Sequence, residues 1–360
     1  MPNWGDQLYP PVLGSLLEAV DLRATRTFYS PLEGKTVDHQ PVQSLHAVRD
    51  SGADVAFVGG GDIVRFDTLT VAMDHRSVPT GDRGRRLTRL RSRSFARRHF
   101  LPGPGVWVPE DGWLEHGRSV LLSVGVHTVP DTSAAHRAMS RYDAAWVRTA
   151  NGAERLAGAG VDAQRITVAP DMVFALPELQ APEATIERGR AIFRDRLGLD
   201  EPPLVFHAAQ FHGWPVERVA AALTSLRGIP TTTLALGSYA GENLLLEAAA
   251  KHSGARSLTD LSATDITAVL SAAGTVFTTS MHAAIVGASF GTPVIVPGVG
   301  KTRDAFAVLP DPPVLHGSDD SSLYETAASL MGSRLVHSPE ANRDAVVEAF
   351  STTMKAAGLL

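Results

Sequence analysis

Thr278-Thr279-Ser280-Met281-His282 ends an apolar run and opens an amphipathic one. That places His282 in the first turn of a helix, where an imidazole suits hydrogen bonding or proton transfer. It reads otherwise as a histidine that caps the turn. Arg148 ends the apolar run AAWVR (144–148). A guanidinium there offers a planar fork that clamps a carboxylate or phosphate through two hydrogen bonds; the other reading is a salt bridge to Asp143 or Glu154. Lys301 and Arg303 follow the strand-like Val294–Val296 and bring two cations back to the same edge. Asn3-Trp4-Gly5-Asp6 precedes a helix beginning near Leu8. Its glycine permits close backbone approach, and the helix start offers N–H groups to an anion, unless Asp6 simply caps the helix. Gly59-Gly60-Gly61-Asp62 is neither a dinucleotide fingerprint nor a P-loop, so Gly60 and Gly61 serve a tight turn or a close ligand. In HAAQFHGW (207–214), His207, His212 and Trp214 either line an acceptor site or pack internally. No metal-binding spacing is visible.

These residues need strands to carry them. Buried strands are expected at 54–58, 119–124, 144–148 and 166–168, with helices at 9–20, 41–51, 132–141 and 151–159. The alternation stops at the proline-bearing stretch 177–203, which reads as a linker around a charged helix. It resumes with strands at 204–206, 231–236, 275–279 and 294–296, and helices at 214–227, 241–252, 264–272 and 282–290. Continuous apolar strands with helical connections predict an α/β chain of two Rossmann-like, doubly wound halves facing a cleft, with ligands at the carboxyl ends of the strands. The expected domains are 1–176, the linker 177–203, 204–338, and a bracing helix over 339–360.

The chain has 360 residues, no cysteine and a net charge of −5, which excludes disulfide scaffolds, thiol nucleophiles and a whole-surface nucleic-acid binder. Lys301 is one of only four lysines, the others being Lys35, Lys251 and Lys355; codon bias accounts for most of that scarcity. Residues 83–98 hold eight arginines. They form either a solvated, mobile segment or an electropositive lip for an anionic acceptor or a membrane surface. No signal peptide or membrane span is visible, so the expected location is cytoplasmic, peripheral to the membrane at most. A homo-oligomer is compatible with the sequence.

In order along the chain, Asn3-Trp4-Gly5-Asp6, the strand with Gly59-Gly60-Gly61, Val147-Arg148, the run Ala169-Pro170-Asp171-Met172-Val173-Phe174-Ala175-Leu176, TTSMHAAIVGASFGTPVIV and Lys301 resemble the polysaccharide pyruvyltransferase family. The resemblance implies a GT-B-like fold, phosphoenolpyruvate as co-substrate with no cofactor or metal, and ketal formation on a sugar or glycoconjugate. It implies His282 and Asp6 as catalytic residues, and a donor site of Arg148, Ser280, Lys301, Arg303, Gly60 and Gly61. The acceptor side then falls to Asn3, Trp4, Asp62, His207, His212 and Trp214. One departure stands out: family members carry Ser-Arg-Leu-His where this chain has Thr279-Ser280-Met281-His282, so Ser280 replaces a donor-binding arginine. Two alternatives follow: a GT-B glycosyltransferase using a nucleotide sugar, or a family member with another donor or no catalysis.

Overall fold

The computed structural model describes residues 4–31, 36–37, 40–61, 63–76, 78–179, 181–209, 212–237, 242–297, 300–317, 319, 321–335 and 339–360. By internal contacts the chain divides into two compact units. One comprises 9–172 with 344–360, and the other comprises 1–8 with 173–343.

The first unit begins with a small sheet of β1 (Phe28–Ser30), β2 (Thr36–Val37) and β3 (Gln40–Ser44) in the order β1-β3-β2. Its main sheet is four parallel strands, β4 (Val55–Gly59), β5 (Arg118–Val124), β6 (Ala144–Val147) and β7 (Ile166–Val168), ordered β4-β5-β6-β7. β6 is buried at all four positions and β5 at all but Arg118. Such unbroken burial is what a parallel sheet covered on both faces demands. Leu121, Val124, Ala145 and Val147 share one core with Met139 and Leu156 of the covering helices.

The second unit carries six parallel strands, β8 (Leu204–His207), β9 (Thr231–Leu234), β10 (Arg256–Leu258), β11 (Thr275–Thr278), β12 (Val294–Val296) and β13 (Leu315–Gly317). They run β10-β9-β8-β11-β12-β13. Counted within the unit this is 3-2-1-4-5-6, the order of a dinucleotide-binding Rossmann sheet. The order reverses between β8 and β11, and a crevice opens at the carboxyl ends of strands where that happens. Beneath it, Phe206 of β8 and Phe277 of β11 stack at 4.4 Å, with Trp214 edge-on to Phe277 at 5.2 Å.

Three expectations change. Residues 41–51 form β3 and a 3-10 turn, Leu45–Val48, rather than a helix; Pro41 and Val42 favour extended backbone, and Ser44 caps the turn by accepting the His46 N–H. The stretch 177–203 contains a regular helix, Pro182–Leu197, packed on the helix Ala263–Ala272 of the same unit. The approach is so close that a Cβ at Gly189 would overlap the Ala268 carbonyl. Residues 86–99 are an ordered helix, Arg86–His99, rather than a mobile segment; Ser92 is its buried contact, and Phe95 and Ala96 pack against Phe100 and Val71. The helix expected over 339–360 is present as Pro339–Ala356; it begins among residues counted with the six-stranded unit and continues among residues counted with the other.

Candidate functional site

The switch point of the six-stranded unit gathers the polar residues. β11 ends at Thr278, and Ser280 caps the helix Met281–Ser289 by accepting the Ala283 N–H at 3.4 Å. His282 sits in the first turn, 6% exposed. The short turn Gly5–Gln7 lies against its ring: a Cβ at Gly5 would overlap Nδ1 and stand 2.8 Å from Cγ. Glycine is therefore required by the imidazole itself. Trp4 fixes that turn, donating its indole N–H to the Ala263 carbonyl at 3.1 Å. The helix it reaches opens with a capping box of Ser262 and Asp265, and Arg188 pairs with Asp265 at 2.7 Å.

A second histidine supports the floor of the crevice. His207 ends β8 and is 1% exposed. Its Nδ1 is 3.0 Å from Thr278 Oγ1, which accepts the Ser280 N–H at 2.9 Å. Its Nε2 lies 3.1 Å from Glu242 Oε2, in ion-pair range but off the line of a hydrogen bond. Glu242 accepts the Leu236 N–H through its other oxygen at 2.8 Å. The chain Glu242–His207–Thr278–Ser280 thus holds the turn that presents His282.

The other unit uses its polar residues on one another. Arg148 Nη1 binds Asp171 Oδ2 at 2.8 Å, and the Tyr9 hydroxyl donates to the same oxygen at 2.9 Å. Arg148 is 2% exposed and Asp171 is fully buried. Burial first, then the charge of Asp171, holds the Tyr9 phenol well above its ordinary pKa. Gly60 and Gly61 turn with φ of +97° and +66°, and a Cβ on Gly60 would come 3.2 Å from the Tyr9 ring. Beside them Ser123, at φ +55°, accepts the Met172 N–H at 3.0 Å. The buried ion pair and the Tyr9 ring thus give Arg148, Gly60 and Gly61 partners within the protein. Arg148 pairs with Asp171 rather than with Asp143 or Glu154; Asp143 instead holds Arg118 at 2.9 Å.

The remaining expected residues scatter. Lys301 and Arg303 are exposed on the short helix Lys301–Phe306 that follows β12. Trp4 and Trp214 are buried packing residues, 1% and 2% exposed, rather than surfaces open to an acceptor. Arg218 covers the Trp214 ring at 4.1 Å. His212 is exposed beside it. Asn3 and Asp62 fall outside the described residues, as does the Asp6 side chain, although the Asp6 backbone belongs to the Gly5–Gln7 turn. Sequence reasoning missed Tyr9, Thr278 and Glu242 as partners. Asp171 lies within the run 169–176, and no spacing rule ties it to Arg148.

Solved structures share this architecture. S. aureus MnaA in its UDP co-structure is 13% identical over 91% of this chain and 85% of its own, with a TM-score of 0.55. The UDP-GlcNAc 2-epimerase of Methanocaldococcus jannaschii is 12% identical over 84% of this chain and 77% of its own, with a TM-score of 0.50. At such identities the likeness shows the fold, two Rossmann-like units of GT-B type. No curated protein matches the sequence. The sequence model of one family, described as polysaccharide pyruvyl transferase, matches residues 10–297 and so takes in Arg148, Asp171, the switch-point strands and His282. By that match the chain belongs to the polysaccharide pyruvyl transferase family.

Proposed function

We propose that the protein transfers a pyruvyl group from phosphoenolpyruvate to two hydroxyls of a sugar or glycoconjugate, forming a ketal. The family match over residues 10–297 carries this reading. The arrangement around His282 is compatible with it. His282 protonates the enol methylene, and the carbon that bore phosphate takes on oxocarbenium character. One acceptor hydroxyl attacks, phosphate leaves, and a second hydroxyl closes the ring. Of the two hydroxyl protons, one balances the new methyl group and the other leaves with phosphate. A donor with a carboxylate and a phosphate needs cations. Lys301 and Arg303 are assigned to it, and Ser280 is assigned to the helix cap instead of the donor.

The test is phosphate release from phosphoenolpyruvate in the presence of sugar acceptors, with the ketal product detected by mass. Thermal stabilisation by phosphoenolpyruvate is expected in parallel, since a ligand that binds only the folded state raises its stability. Stabilisation by UDP alone would overturn the donor assignment in favour of a nucleotide sugar. Stabilisation by neither, without turnover, would point to a family member that has lost catalysis.

A further inference from the structure

Six arginines of the helix Arg86–His99, at positions 86, 89, 91, 93, 97 and 98, are exposed. The helix contains no acidic residue, in a chain whose net charge is −5. Two neighbouring arginines are neutralised: Arg83 by Asp74 at 2.6 Å and Arg85 by Asp82 at 3.1 Å. The six on the helix have no acidic partner among the described residues. Arg86, Arg89, Arg93 and Arg97 follow one another at three- and four-residue spacing, where like charges destabilise a helix. The pattern therefore does not serve the fold.

The same face carries exposed apolar side chains. Leu87 is 68% exposed and Leu90 49%, two of the largest such exposures in the protein. At 100° per residue they project between Arg93 and Arg97 on one side and Arg91 and Arg98 on the other. The opposite face is anchored: Arg76 donates to Ser92 Oγ at 2.7 Å, and Phe95 packs edge-on to Phe100 at 5.8 Å. Aliphatic side chains flanked by long cations fit the boundary of a lipid layer, where leucines enter the acyl region and arginines reach back to head groups. A single-stranded nucleic acid would need exposed aromatic rings for its bases, and here Phe95 is turned inward. No helix among the described residues is long and apolar enough to cross a membrane, so any contact made by this helix is with the surface.

We infer that the helix Arg86–His99 docks flat on an anionic lipid surface, with Leu87 and Leu90 inserted and its six exposed arginines on the head groups. The proposal stands whether or not the chain transfers a pyruvyl group. The full-length protein should co-sediment with vesicles of phosphatidylcholine and phosphatidylglycerol but not with phosphatidylcholine alone, and the binding should weaken as salt shortens the Debye length. Each arginine removed should weaken binding roughly five-fold, so Arg86→Gln with Arg93→Gln and Arg97→Gln should lose about a hundred-fold. Leu87→Ser with Leu90→Ser should lose at least roughly ten-fold with the charges intact. Both variants alter exposed positions, and unchanged melting temperatures would show that folding is preserved. Binding to neither vesicle, or equally to both, overturns the proposal. So does binding that ignores the leucine variant and is matched by dextran sulfate in solution, which would make the face a site for soluble polyanions.

Discussion

Both main sheets are parallel and buried, yet they use their polar residues in opposite ways. In the four-stranded sheet the strand order runs β4-β5-β6-β7 without reversal. Its glycine turn is filled by the Tyr9 ring, and its strand-end arginine is neutralised by Asp171. In the six-stranded sheet the order reverses between β8 and β11. There the chain places a histidine on a helix start, removes the side chain opposite it at Gly5, and braces the turn from behind with His207 and Glu242. A polar residue after a strand is thus bound internally in one sheet and set at a switch point in the other.

That contrast can be broken by separating rate from stability. His282→Ala should lower turnover about 10²–10⁴-fold, the usual worth of a positioned proton donor, while costing less stability than Asp171→Ala; unaltered turnover would remove His282 from the chemistry. Asp171→Ala should act the other way. It strands a buried guanidinium, which costs about 3–5 kcal/mol of stability, readable in urea unfolding of the intact chain. A stable Asp171→Ala protein with weakened phosphoenolpyruvate binding would instead make Arg148 a donor residue. Gly5→Ala forces the His282 ring to move, at roughly 1–3 kcal/mol for overpacking, and kcat should fall more than stability does. Glu242→Gln keeps the shape of the brace but removes its charge; a loss of about 1 kcal/mol is expected, with a modest fall in kcat and unchanged KM.

The last and smallest effect concerns alkaline pH. Tyr9 and Tyr142 both lie in residues 9–172, and burial raises both phenols. A free phenol ionises near 10. The unfolded chain therefore loses these protons first. The stability they contribute is complete below that value and drains away as pH rises toward the higher folded-state pKa. Unfolding above about pH 10 should begin in the four-stranded unit, and Tyr9→Phe should flatten the dependence. An alkaline transition that starts instead among residues 173–343 would reverse the comparison.

Much of the architecture is legible from apolar runs. β5, β6, β8, β11 and β12 are continuous and buried, and hydrophobicity alone marks them. The short edge strands Arg256–Leu258 and Leu315–Gly317 are not legible, because half-exposed three-residue strands carry no periodicity. Charge hid the helix Arg86–His99, although Ser92, Phe95, Ala96 and His99 keep a helical spacing on its inner face. At the site, His282 was visible from its place after an apolar run. Its supports were not, since Gly5, His207 and Glu242 are far from it in sequence and act on the ring or its turn only in the fold.

Residues 1–8 fold with 173–343, and the chain passes between the units three times. Modular dissection is therefore not a single cut. A fragment starting at Val173 would lack Trp4 and Gly5, leaving one side of the His282 ring bare. Recombination that exchanged the second half alone would inherit an incomplete floor for its imidazole.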